Sequence, residues 1–243
     1  MIRDNPAKRL LDILNEGKEK NQKSNCGAIW SNLLELDGDD GEEVLMSRLG
    51  KVMQLPELIV KELKKIEDTE ENDYNHWVKQ ISIAFSQQNL SQNWETFIKF
   101  IDQHTITYLK MNKQLLSAQA SYQEISADKL IEMREKISQL IQEVRESDLN
   151  PEIQSYLLSV LSEIHLAIIE YKITGYLPIV NGIDATVGHA VTNSYFREKV
   201  NESNVGKKVW ATLQGLSVII TLVTGAPQLP NATGSLLKLL NKL

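Results

Sequence analysis

The chain has a single cysteine, Cys26, among its 243 residues. That excludes an intramolecular disulfide and fits a reducing compartment, so the expected location is the cytoplasm. Prolines and glycines are few, six and twelve. They fall singly between periodic segments and form no linker or low-complexity stretch. No run alternates apolar and polar residues as a strand would, and no Asn-Gly or Asp-Gly turn joins two such runs. The opening residues MIRDNPAKRLLDILNEG hold no long apolar segment, so no secretory signal is expected. No repeat of fixed period is present.

Charge of one sign is missing from one end. Ser203 to Leu243 contains no Asp or Glu and four lysines, Lys207, Lys208, Lys238 and Lys242. Met1 to Glu202 therefore carries twenty-two basic and thirty-two acidic side chains, a net −10 within a chain of −6. An acidic body ends in a mildly basic, apolar tail. The acidic balance, with a pI near 5.4, argues against sequence-independent binding of nucleic acid, which needs a concentrated basic surface.

What is present is helical periodicity. Apolar residues recur at spacings of three and four nearly throughout, which predicts an all-α fold: a multi-helix bundle of about nine to eleven helices. Asn5 caps a first helix with Pro6 in its first position, and Gly17 closes it. A short second helix is expected over about Gly27 to Leu36. Asp39 or Asp40 caps a third, with Glu42 and Glu43 in its first turn, where the helix dipole favours negative charge. Leu55-Pro56 is expected to break it and Pro56 to start a fourth. A fifth helix carries Trp77, Ile81 and Phe85, and a long sixth runs from about Gln92 to Leu116. Next comes a helical hairpin over 126–173. Its first arm has the stripe Met133, Ile137, Leu140 and Val144, and its second is capped by Asn150 with Pro151 following. That second arm is apolar over most of its circumference, which places it at a bundle centre or an interface. Gly175 and Pro178 end it. Ile183 to Val200 is expected as a less regular helix capped by Asp184. The expected organisation is an N-terminal region 1–118 and a C-terminal region 119–243, with one continuous domain as the alternative.

Little chemistry is signed. His76, His104, His165 and His189 have no His or Cys at helical ligand spacing, and the Glu-x-x-His of helical metal sites is absent because Ser162 stands three before His165. Cys26 has no basic neighbour closer than Lys23 and reads as a packing residue, although a place at a helix N-terminus would favour its thiolate. The acids from Asp37 to Glu43 fail the calcium-loop template at three positions, Gly41, Glu42 and Arg48. There is no phosphate loop, nucleophile elbow or kinase set. No cofactor, metal ion or catalytic residue is expected.

The tail carries the functional clue. Val209 to Ala226 is an uncharged run of eighteen residues. As a helix it would span about 27 Å, a little short of a hydrocarbon core of about 30 Å. Gln214, Gly215, Ser217 and its threonines weaken it further as a membrane span. Three readings stand: a core helix, a partner-binding helix, or a membrane-active segment. Trp210, Leu213, Leu216, Ile219, Ile220 and Val223 are its candidate interaction or membrane residues. The chain thus reads as a non-enzymatic helical protein-interaction module, associating with another protein or with itself. The alternatives are a membrane-active effector whose apolar segment is held by the acidic body, acting at the inner face of a membrane, and an enzyme whose site leaves no local signature.

Overall fold

A computed structural model gives the fold, and it describes residues 5–66, 70, 74–118 and 124–224. The expected stop at Pro227 and Pro230 and the Leu/Lys segment Ser235 to Leu243 lie outside these residues. Twelve helices and no strand occur among the described residues, so the chain is an all-α multi-helix bundle. It divides into two compact units. One consists of 5–118 with 172–175, the other of 124–171 with 176–224, counting described residues.

The first unit holds α1 (Pro6–Lys18), α2 (Cys26–Leu33), α3 (Glu42–Leu63), α4 (Asn75–Gln87), α5 (Glu95–Ile98) and α6 (Gln103–Ala118). Asn5 caps α1 by accepting from the Lys8 amide at 3.1 Å, and its own amide group donates to Lys113 O and Ser117 Oγ near the end of α6. Aromatic rings fill the centre. Trp30 stacks on Phe85 and meets Trp94 and Phe97 edge-on, at centroid separations of 6.0, 5.1 and 4.9 Å. Residues 172–174 of the one-turn α9 (Tyr171–Thr174), with Gly175 after it, belong to this unit. Arg9 Nε donates to Ile173 O at 2.8 Å, and Lys172 Nζ reaches Glu16 Oε2 at 2.9 Å and Glu35 Oε1 at 3.2 Å.

Four expectations are corrected in this unit. Pro56 does not break the chain: α3 runs through it, with Leu55, Ile59 and Leu63 buried on either side. A proline costs one backbone hydrogen bond and a local kink, which apolar burial on both flanks offsets. The long helix expected over Gln92 to Leu116 is instead α5 and α6, because the carboxylate of Asp102 accepts from the Thr105 amide at 2.7 Å and starts a new helix there. The cap of α3 is Gly41 rather than Asp39 or Asp40; Asp40 instead accepts from the Asp37 amide at 2.9 Å. Gly17 does not close α1 but lies inside it, under the indole of Trp94.

The second unit holds α7 (Ala127–Arg145), α8 (Pro151–Ile169), α10 (Leu177–Thr192), α11 (Ser194–Glu202) and α12 (Asn204–Thr224). Its core, like that of the first, is mostly aliphatic, with Tyr171, Tyr176, Phe196 and Trp210 buried in it. α7 and α8 form the expected hairpin and are antiparallel. Gln154 Nε2 donates to Val144 O at the turn, Ser138 Oγ meets His165 Nε2 at 2.9 Å midway, and the Ile125 amide donates to Tyr171 OH at the open end. Asn150 caps α8, accepting from the Glu152 amide at 2.9 Å.

Three boundaries differ from expectation here. α8 ends at Ile169, and Gly175, at φ 70°, turns the chain after α9. Pro178 lies in the first turn of α10, where its missing N–H is no loss. The single helix expected over Ile183 to Val200 is two, parted at Asn193, whose side chain accepts from the Phe196 amide at 3.0 Å. Asp184 is interior to α10 rather than a cap.

Candidate functional site

α12 is the structural form of the uncharged run. It starts at Asn204, two residues before Gly206, because Ser203 Oγ accepts from the Gly206 amide at 2.8 Å and so caps it. Its inner face is Val209, Trp210, Leu213, Leu216, Ser217 and Ile220, all buried. Trp210 Nε1 on that face donates to Asn201 Oδ1 at 2.9 Å and Ser217 Oγ donates to Leu213 O at 3.0 Å, while Thr221 Oγ1, one turn further on, is buried without a hydrogen-bond partner among the described residues. Ile219 and Val223 are partly buried and pack on the same core. The six candidate residues therefore face the unit's own aliphatic core fully or along its flank.

The opposite face was not picked out in the sequence. Ala211, Gly215, Val218 and Leu222 point outward, with Val218 40 % and Leu222 78 % exposed. Their spacing of four, three and four makes one stripe along the helix. Gln214 is exposed beside it, and Lys207 and Lys208 lie at its N-terminal end. From Val209 to Val223 this surface carries no charge. Such a stripe of exposed apolar and small side chains is what a helix–helix contact uses. The inner set 209–213–216–220 follows the same four, three, four spacing. Placing the larger side chains inward would have picked it out.

A groove of about 350 Å³ runs between α7 and α12. Leu140, Leu216 and Ile219 form its apolar floor, and Lys136, Gln139 and Glu143 form one rim. The other rim is the flank of α12 from Lys208 to Gly215, where nothing lies within 4 Å of a built Cβ on Gly215. Lys208 Nζ bridges to Glu143 Oε2 at 2.8 Å and marks the end of the groove. Beyond it opens a cleft of about 700 Å³ at the α7–α8 turn, with Glu146, Asp148, Glu202 and Lys199 on its wall. The hydrogen bond from Lys208 is the main cause that holds the Glu143 carboxyl below its ordinary pKa. At the other end of the groove Lys136 is basic; with Lys129 it brackets Glu132 and lowers that carboxyl to about 2.

The remaining chemistry-bearing residues are placed as follows. Cys26 is the first residue of α2 but is fully buried, and burial pushes its thiol pKa up. That is the opposite of an activated nucleophile. His165 has its pKa lowered by burial and by Arg134, and its bond to Ser138 joins α7 to α8. His76 and His104, twenty-eight positions apart, come within 6.0 Å between ring centroids, and His76 Nε2 lies 3.1 Å from Asp102 Oδ2. His189 stacks on Tyr156 at 4.0 Å. No spacing within one helix signals either pairing, since each joins two different helices. Among the described residues no group of three His, Cys, Asp or Glu side chains is arranged to hold a metal ion.

By length and composition, one helix among the described residues is apolar enough to cross a membrane, and it is α8 rather than α12. The apolar positions Ile153, Leu157, Leu161, Ile164 and Ile168 of α8 are buried in the unit's own core. Compared with known protein families, curated proteins and solved structures, the chain matches none.

Proposed function

We propose that the protein is a non-enzymatic helical interaction module, and that the outer stripe of α12 with the adjoining α7–α12 groove is its docking surface. The observation that carries this reading is the uncharged outer face of α12, on a chain that is 24 % charged overall. A helix with one face buried and an exposed face of Ala, Gly, Val and Leu has a second side suited to another helix.

The burial of the inner face weighs against a membrane-active tail. Releasing Val209, Trp210, Leu213, Leu216 and Ile220 would cost about 1.5–3 kcal/mol for each large side chain returned to water. A trigger would have to supply all of it.

Photo-crosslinking in cells tests the proposal. A benzophenone amino acid replaces Val218, and in a control it replaces Lys61, exposed on α3. Position 218 should yield a protein adduct that the control lacks. Adducts to lipid alone, or none at 218, would overturn the reading.

A further inference from the structure

We infer that the partner on this surface is a second copy of the chain, with α12 pairing in parallel with α12 of the other copy about a two-fold axis along the helices. The inference rests on the docking surface proposed above and names its occupant. The stripe Ala211, Gly215, Val218 and Leu222 has the spacing of a helix-pair seam, and the small side chains at 211 and 215 allow close approach of two backbones.

Charge decides the occupant and its direction. The N-terminal end of α12 carries Lys207 and Lys208; in the cleft beside it Glu143 is paired with Lys208 and Glu202 with Lys199, which leaves Glu146 and Asp148 as its acids without a lysine of their own among the described residues. One surface thus holds both halves of a complementary pair, as a two-fold contact requires. Lys208 lies on the α7 side of the stripe, bonded to Glu143, and Lys207 lies about 100° round the helix on the far side. In a parallel pair the far edge of one helix meets the near edge of the other. Lys207 then faces Glu146 of the second copy, beside that copy's Lys208–Glu143 pair. In an antiparallel pair near edge meets near edge, and Lys208 would face the other end of the groove, where Lys136, bonded to Glu132, stands beside Ile219. Like charges would meet there, so the parallel arrangement is favoured.

Sedimentation velocity of the full chain, run at about 1 to 100 µM, should show a monomer–dimer equilibrium. Val218→Lys should remove the dimer without changing helicity. Lys207→Glu should weaken it about tenfold, and adding Glu146→Lys to Lys207→Glu should restore it. Under mild oxidation, Ala211→Cys and Leu222→Cys should each give a disulfide-linked dimer, because a parallel pair sets equal positions opposite one another; Cys26 is buried and does not interfere. A monomer at every concentration, a dimer indifferent to Val218→Lys, or failure of both cysteine variants to cross-link would overturn the inference. If the chain is monomeric while position 218 captures a different protein in cells, the second copy is ruled out and the interaction module stands.

Discussion

Lys208 Nζ lies 2.8 Å from Glu143 Oε2, the ion pair that links α12 to α7 at the mouth of the groove. The lysine is 62 % exposed and the glutamate 28 %, so solvent screens the pair and its contribution is about 1 kcal/mol or less. The pair lowers the folded-state pKa of Glu143, and its stabilisation is therefore present above the ordinary value of 4.5 and lost as pH falls through the folded value. Lys208→Ala should bring the Glu143 carboxyl back up toward 4.5, read by carbon-detected NMR titration, with little change in stability at neutral pH. An unmoved titration would mean that the pair does not form in solution.

Two glycines of the second unit should respond in opposite directions to the same change. A Cβ on Gly182 would lie 2.5 Å from Ile164 Cγ1, whereas Gly215 has open space. Gly182→Ala should cost about 1–3 kcal/mol by crowding α10 against α8. Gly215→Ala should stabilise by about 0.5–1 kcal/mol through helix propensity. Urea unfolding followed by circular dichroism measures both.

Within α8, Leu157 is fully buried and Leu166 is 46 % exposed. Leu157→Ala should cost about 2–5 kcal/mol, and Leu166→Ala should stay within about 0.5 kcal/mol of the parent. Equal effects at the two positions would show that the hairpin packs through a different face.

Cys26 should react with a disulfide reagent at neutral pH only as fast as the first unit opens. Its thiol is both buried and shifted toward the protonated form. Adding denaturant should release rapid labelling. Fast labelling of the native protein would contradict the burial of α2 against the aromatic centre.

Local signals were legible where a cap and a periodic stripe fall together. Asn5-Pro6 and Asn150-Pro151 each placed a helix start, and the stripe from Met133 to Val144 with the short turn placed the hairpin. What escaped depended on residues distant in sequence. Gly17 looks like a helix end until Trp94, seventy-seven positions later, donates to its carbonyl at 2.8 Å. Pro56 looks like a break until the burial of Leu55 and Ile59 is known. For α12 the uncharged run was plain, and because its two faces share one spacing only the larger side chains at 209, 213, 216 and 220 tell which face turns inward. Ile219 and Val223 stand with Trp210, Leu213, Leu216 and Ile220 as candidate interaction or membrane residues, and all six pack on the unit's own core, whereas the outward stripe is Ala211, Gly215, Val218 and Leu222.

The central claim is that α12 gives one face to its own unit and keeps the other for a partner. Two lysine substitutions half a turn apart test it most directly. Ile220 is fully buried and Val218 is 40 % exposed. Ile220→Lys should destabilise the protein by about 3 kcal/mol or more, since an ammonium would be enclosed without a counter-charge. Val218→Lys should leave unfolding within about 0.5 kcal/mol of the parent under dilute conditions. Denaturant unfolding of the two variants side by side measures the difference. Equal losses, or a larger loss at Val218, would contradict the account.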